Sequence, residues 1–167
     1  MQLTGKQIVE NNIITNYCAE GVQQQGVDVR VAKVFGLKDH GYIPAQGKTQ
    51  KCDVFEIKPM GGTTFALGVG YYELELMEGC SIPANAEADF KTRSGLVRCG
   101  ATIHSGQYDA GFNTDRMGCF LETRIPIRID VGARVAQFVV NETYSVDEGD
   151  LYNGQWQNDK QRTEQQA

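Results

Sequence analysis

Hydrophobic and polar residues alternate with a period of two along much of this chain. In GVDVRVAKVF, residues 26–35, Val27, Val29 and Val31 fall on one face, with Asp28, Arg30 and Ala32 on the other. YYELELME, residues 71–78, alternates leucines with acidic residues. RIPIRIDVGARVAQFVV, residues 124–140, places Ile125, Ile127, Ile129 and Val131 on one face before it becomes continuously apolar. A period of two predicts β-strands with one buried face.

A helical pattern occurs only near the N-terminus. LTGKQIVENNI, residues 3–13, places Thr4 and Gln7 at the spacing of a capping box, which predicts a short helix. The 19 glycines punctuate the remaining segments at roughly regular intervals. These patterns predict an all-β antiparallel barrel or sandwich with one short N-terminal helix.

The length of 167 residues fits one domain with a core of its own. We predict that this domain spans residues 1–157. The last stretch, QNDKQRTEQQA, is polar, and residues 158–167 are predicted to be a mobile tail.

Composition excludes several classes of function. A net charge of −5 provides no general basic surface for nucleic acid, and no apolar run approaches the length of a membrane span. We expect neither a signal peptide nor a membrane partner. The five cysteines are widely spaced without a CxxC pair, and His40 and His104 are the only histidines, so a zinc site is not expected. Reduced thiols predict a cytoplasmic protein.

Residues 92–112, TRSGLVRCGATIHSGQYDAGF, carry the candidate chemistry. The Arg93 guanidinium and Ser94 hydroxyl can donate to phosphate oxygens, and Gly95 lets backbone N–H groups approach closely. Asp28 and Asp109 lie among uncharged neighbours, where a carboxylate can orient a water or accept from a sugar hydroxyl. Each residue alone has a simpler explanation, because aspartates are common in turns and arginines in surface ion pairs.

The ordered series QQGVDVRV, TRSGLVRCG, SGQYDAGF, VGARVAQFVV and YNGQWQ resembles the superfamily of trimeric dUTP diphosphatases and dCTP deaminases. The resemblance covers most of the chain. It implies a β-clip fold, a homotrimer, and sites for a deoxynucleotide, dUTP or dCTP, at the subunit interfaces. The N-terminal helix and the tail motif are closer to the deaminase branch, and the RSGL motif is closer to the diphosphatase branch.

The resemblance also implies roles for individual residues. It implies that Arg93, Ser94 and Gly95 bind the phosphates and that Gln137 adds an amide contact. Asp28 contacts the water ligands of a Mg²⁺ ion carried by the triphosphate, and no residue binds a metal directly. Arg98 matches an arginine that positions the base in deaminases, although diphosphatases also have a basic residue there.

The turn from Gly106 to Asp109 is implied to hold the nucleoside. Its backbone, including Gln107, contacts the base, and Tyr108 packs against the deoxyribose in a pocket that disfavours a 2′-hydroxyl. Asp109 holds the 3′-hydroxyl and the attacking water.

Trp156, the only tryptophan, lies in the polar segment YNGQWQ, residues 152–157. One interpretation is an anchor that docks the tail on the domain. The interpretation we favour is a lid with Tyr152, in which Trp156 stacks on the base and Gln155 and Gln157 contact polar groups.

A deaminase of this superfamily requires one carboxylate that a diphosphatase does not. A zinc-free deaminase needs a proton-shuttling glutamate after the aspartate turn, and Glu122 is the candidate. The connection AGFNTDRMGCFL between Asp109 and Glu122 is longer than the deaminase pattern, and a shift of one residue would turn this side chain to the other face. The sequence therefore favours a dUTP diphosphatase; a dCTP deaminase, alone or also hydrolysing dUTP, is the alternative, and a non-catalytic nucleotide-binding regulator is the third hypothesis.

Overall fold

The N-terminal residues form the helix that the capping box predicts. The computed structural model describes residues 1–157, so the tail predicted at 158–167 lies outside the described residues. Helix α1, Gly5–Glu10, follows Thr4, whose hydroxyl accepts from the backbone N–H of Gln7 while the Gln7 side chain accepts from the backbone N–H of Thr4. This exchange satisfies two backbone donors that a helix start leaves unpaired.

Antiparallel strands are the main regular structure of residues 1–157, as the period of two predicted. One-turn helix α2 covers Ser94–Arg98, and two 3₁₀ turns cover Ala19–Gly21 and Glu148–Asp150. The strands are β1 (Ile14–Thr15), β2 (Val22–Gln23), β3 (Gly26–Lys38), β4 (Asp53–Ile57), β5 (Thr64–Leu67), β6 (Gly70–Leu76), β7 (Gly79–Ser81), β8 (Ala86–Thr92), β9 (Ala101–His104), β10 (Asn113–Thr114), β11 (Gly118–Thr123), β12 (Ile127–Asp130) and β13 (Arg134–Glu142).

The largest sheet has the strand order β8-β13-β3-β6-β11-β9, and β2 and β4 also pair with β3. Strands β1, β7 and β10 form a second sheet, and β5 pairs with β12 in a third. The long strand β3 lies at the centre, so residues from β8, β13 and β3 meet side by side. No helix within the described residues is long and apolar enough to cross a membrane.

The core lies between these sheets and is built mainly from alternating aliphatic residues. It includes Val27, Val29, Val31, Leu74, Leu76, Leu121 and Phe138, each at most 1 % exposed. Burying such side chains contributes about 1.5–3 kcal/mol each. The predicted inward positions of β3 and β6 are confirmed as buried, whereas Asp28 and Glu75 on the opposite faces are buried as well.

The structure differs from the sequence pattern at three places. Ile125 and Val131 lie beyond the ends of β12 and are exposed, because the strand is shorter than its apolar pattern. Helix α2 is a second helix where we expected only one; a single turn is too short to give a periodic pattern. Glu75, an outward position by alternation, is buried because basic side chains cover it.

Candidate functional site

An arginine–aspartate cluster forms where β3, β8 and β13 lie side by side. Asp28 is only 2 % exposed, and its carboxylate lies 3.1 Å from Arg93 Nε and 3.5 Å from Arg134 Nη1. Arg93 also donates to the Arg134 carbonyl, and Arg134 donates to the Glu20 carbonyl. Burial raises the pKa of Asp28, and the two guanidinium charges oppose that effect in part. The cluster holds two donor-rich side chains in place around one buried carboxylate.

The other predicted phosphate-binding residues surround this cluster. Gln137 is the direct cross-strand partner of Asp28 in the β3–β13 pairing. Arg93 precedes α2, so the exposed Ser94 and Gly95 follow it immediately and Arg98 ends the same turn. The fold therefore gathers basic, hydroxyl and amide groups where β3 and β13 meet the end of β8.

The turn from Gly106 to Asp109 is fixed to β8. Tyr108 forms a two-way backbone bridge with Ala88, with N···O distances of 2.9 and 2.8 Å. The Gln107 amide donates to Glu87 at 2.8 Å and to Asp109 at 3.2 Å. These bonds orient the exposed Asp109 carboxylate.

The rings of Tyr108 and Phe112 differ in how deeply they are buried. The Tyr108 ring is buried, its hydroxyl donates to the Gly118 carbonyl at 2.7 Å, and it packs edge-to-face against Phe90 and Phe112. Phe112 is only partly buried and contacts Tyr152 as well. Phe112 therefore offers the more accessible ring beside Asp109, although its position in the DAGF stretch did not identify it as a site residue.

A cavity of about 610 Å³, which we call the turn cavity, opens beside this turn. Six of the predicted site residues line it: Gly106, Gln107, Tyr108, Asp109, Tyr152 and Trp156. Its wall is otherwise largely apolar, with Phe35, Leu74, Phe112, Met117 and Phe120 among the lining residues. Its size lies within the usual range of pockets for small molecules.

Residues 151–157 close one side of the turn cavity. The backbone N–H of Tyr152 donates to the Ala110 carbonyl, and the Gln157 amide donates to the Gly111 carbonyl, each at 2.8 Å. Gly111 has φ +87°, and a Cβ at this position would lie 2.9 Å from the Leu151 Cβ. The C-terminal segment therefore docks closely against the turn of the same chain.

The loop between β3 and β4 closes the opposite side. The Gln155 side chain donates to the Thr49 carbonyl at 2.8 Å, so Gln155 holds the loop to the C-terminal segment. The Lys51 ammonium lies 4.4 Å from the centroid of the Trp156 ring, a cation–π distance. No local sequence signal singled out Lys51, because this contact joins residues far apart in the chain.

Glu122 is paired with an imidazole and a guanidinium. On β11 its carboxylate is 2.9 Å from His104 Nε2 and 3.3 Å from Arg124 Nη2. Within residues 1–157, Glu122 is outside the lining of the turn cavity. It occupies the face of β11 that carries Phe120, opposite the buried Leu121.

The described residues offer no group of three or more His, Cys, Asp or Glu side chains placed to hold a metal ion. Asp28, the residue implied to contact hydrated Mg²⁺, is engaged by two guanidinium groups. Arg134 belongs to the same cluster but was named only within its motif VGARVAQ.

Comparison with known proteins places these features in context. A family model described as dCTP deaminase-like matches residues 2–143. A deoxyuridine 5′-triphosphate nucleotidohydrolase from Methanocaldococcus jannaschii is 30% identical over 139 residues, which cover 81% of this chain and 87% of that protein. A probable deoxyuridine 5′-triphosphate nucleotidohydrolase from Halobacterium salinarum is 33% identical over 147 residues, covering 85% of this chain and 86% of that protein.

Among solved structures, the 2′-deoxycytidine 5′-triphosphate deaminase from Agrobacterium tumefaciens has a similar fold, with a TM-score of 0.64 at 17% sequence identity. The match covers 83% of this chain and 48% of that one, so this chain spans about half the length of the deaminase.

Proposed function

Because the chain belongs to the dCTP deaminase-like family, we propose that it hydrolyses dUTP to dUMP and diphosphate. The observation that carries this proposal is the Asp109 carboxylate, oriented by Gln107 at the edge of a largely apolar cavity. The names of the archaeal relatives, each matched over more than four fifths of its length, support the same reaction.

Asp109 acts as the general base in this proposal. It accepts a proton from a water that attacks the α-phosphorus of dUTP, and the bond from that phosphorus to the bridging oxygen breaks to release diphosphate. The turn cavity holds the uracil and the sugar. The partly exposed ring of Phe112, beside Asp109, packs against the deoxyribose in preference to the buried Tyr108.

The arginine–aspartate cluster grips the phosphates. Arg93 exchanges its contact with Asp28 for phosphate oxygens, and Ser94, Gly95 and Gln137 add donors, as the family resemblance implies. Arg134 joins them. Before substrate binds, Asp28 keeps both guanidinium groups in one place.

Magnesium enters as part of the substrate, bound to the triphosphate. A hydrated Mg²⁺ on the triphosphate needs only an acceptor for its water ligands, and a carboxylate can be that acceptor. Asp28 can contact that hydrated ion only after Arg93 has moved to the phosphates.

A homotrimer completes the site in this proposal. Tyr108 pairs with Ala88 on β8, and Arg93 directly follows the end of that strand, five positions after Ala88 and about 17 Å away at the rise of an extended chain. This separation supports a site in which one copy supplies the turn and another supplies the phosphate grip. Sedimentation should give a trimer, and a monomer at assay concentration would contradict this part.

Residues 151–157 serve as the lid, with Trp156 and Tyr152 over the base and Gln155 attached to the neighbouring loop. We place the protein in the cytoplasm, where its five free cysteines stay reduced.

A dCTP deaminase is the second candidate, favoured by the family description and by a glutamate on β11. Its proton shuttle would be Glu122, with Arg98 positioning the base. Glu122 is paired with His104 and Arg124 and is not among the residues that line the turn cavity within residues 1–157, which supports hydrolysis instead.

The test is to incubate the protein with dUTP or dCTP and Mg²⁺ and to measure diphosphate and ammonia separately. Hydrolysis predicts diphosphate from dUTP and no ammonia; ammonia from dCTP would replace it with deamination. Nucleotide binding without either product would support the non-catalytic regulator. In Asp109→Asn we expect turnover to fall by at least about 100-fold with nucleotide affinity retained; undiminished turnover would place the base elsewhere.

A further inference from the structure

An ion pair lies in the inner wall of the turn cavity. Glu75 on β6 is 8 % exposed, and its carboxylate lies 2.8 Å from Arg116 Nη1 and 3.3 Å from Lys33 Nζ. Glu75 and Arg116 both line the cavity. A buried carboxylate requires such partners, so Glu75 anchors the Arg116 guanidinium at this wall.

The segment that carries Arg116 is itself held firmly. The Thr114 hydroxyl donates to the Arg116 carbonyl at 2.9 Å, and the backbone N–H of Met117 donates to the Glu78 carbonyl at 2.7 Å. Met117 is 1 % exposed. At Gly79 a Cβ would meet the carbonyl oxygens of Thr114 and Asp115 at 2.6 and 2.5 Å, so the segment passes directly against β7.

The surroundings of Arg116 suit a neutral flat ring better than a phosphate. Phe35, Leu74, Phe112 and Phe120 line the same cavity. Arg116 already shares the Glu75 carboxylate with Lys33, so its guanidinium is held at the wall as a fixed hydrogen-bond donor. The guanidinium groups of the arginine–aspartate cluster lie at the far end of β8 and are the better phosphate ligands.

A guanidinium can only donate hydrogen bonds. Uracil has a carbonyl acceptor at the ring position where cytosine has an amino donor. We propose that Arg116, anchored by Glu75, selects uracil over cytosine in the turn cavity. This inference rests on the proposed function, because it assumes that the cavity holds the base of a pyrimidine deoxynucleotide.

A binding experiment with dUMP and dCMP tests the inference without turnover. Trp156, the only tryptophan, lines the cavity, so its fluorescence reports binding directly. The wild-type chain should bind dUMP more tightly than dCMP. Arg116→Gln should weaken dUMP binding by about tenfold and leave dCMP binding within about twofold, the effect of one charge-assisted hydrogen bond.

Arg116→Lys should retain part of the preference, because it keeps a charged donor. Arg128→Gln is the matched control: Arg128 is exposed on β12, and its affinities should equal those of the wild type. Melting curves check that each variant is folded.

Two results would overturn the inference: equal wild-type affinities for dUMP and dCMP, or an unchanged preference in Arg116→Gln. The hydrolysis assay separates this failure from failure of the proposed function. If Arg116→Gln loses the preference while the wild type releases no diphosphate from dUTP, selection by Arg116 stands and hydrolysis fails. If dUTP is hydrolysed and the preference does not depend on Arg116, hydrolysis stands and the inference fails.

Discussion

Replacing Gly111 with alanine tests how the C-terminal segment closes the turn cavity. Gly111 has φ +87°, and the added Cβ would lie 2.9 Å from the Leu151 Cβ and 3.1 Å from the Tyr152 nitrogen. The substitution therefore introduces backbone strain and a close contact with residues 151–157 at the same point.

The size of the effect depends on the strain at position 111 compared with the hydrogen bonds that hold residues 151–157. A left-handed backbone costs a residue with a Cβ about 1–2 kcal/mol. Residues 151–157 are held by bonds such as Tyr152 N–H to Ala110 and Gln157 to Gly111, each worth about 0.5–1.5 kcal/mol net. Because strain and clash together rival these bonds, we expect the segment to detach while the sheet stays intact. A loss of about 1–2 kcal/mol in the free energy of unfolding corresponds to a fall in melting temperature of about 2–8 °C.

Trp156 fluorescence measures the detachment directly. In Gly111→Ala its emission should shift to the red as the ring leaves Lys51 and becomes hydrated, and nucleotide affinity should fall. Gly149→Ala is the control, because a Cβ at Gly149 meets nothing within 4 Å. Wild-type emission, melting temperature and affinity in Gly111→Ala would refute the reasoning.

Two further predictions concern carboxylates outside the turn cavity. Glu122→Gln should leave the rate of dUTP hydrolysis within about threefold, because Glu122 contacts His104 and Arg124 instead of lining the cavity; a loss of several orders of magnitude would place it in the reaction. Asp28→Asn should change the pH dependence of stability: burial raises the pKa of Asp28 above its unfolded value of 3.8, so its contribution to the free energy of unfolding is greatest at low pH and declines as pH rises through the folded pKa. Denaturation from pH 4 to 8 should show the advantage of wild type over Asp28→Asn shrinking with pH, and a growing advantage would contradict the assigned direction.

The sequence predicted the fold well because its signals are local. A period of two marks β3 and β6, and Thr4 with Gln7 marks the helix start, since each depends on residues a few positions apart. The period failed at Glu75: alternation placed it outside, whereas Arg116, 41 positions away in the chain, helps to keep it buried.

For the candidate site, too, the sequence identified residues in contiguous motifs and missed those that only the fold brings together. Residues in contiguous motifs, such as Gln107 and Asp109, do meet in one cavity. Lys51 and Arg116 line that cavity without any motif, because their position depends on how a loop and an extended connection fold over the sheet. Side-chain exposure was also beyond the sequence: both rings line the cavity, but the stretch GQYDAGF gives no sign that Tyr108 is buried and Phe112 only partly so.

Gly79 couples two stretches that are distant in the sequence: strand β7 and the connection that contains Thr114 and Asp115. Because the carbonyls of Thr114 and Asp115 occupy the space where a Cβ would stand, the long connection and a larger residue at position 79 are mutually exclusive. Transplanting this connection into a protein with a larger residue at the matching position would require the glycine to be transplanted with it.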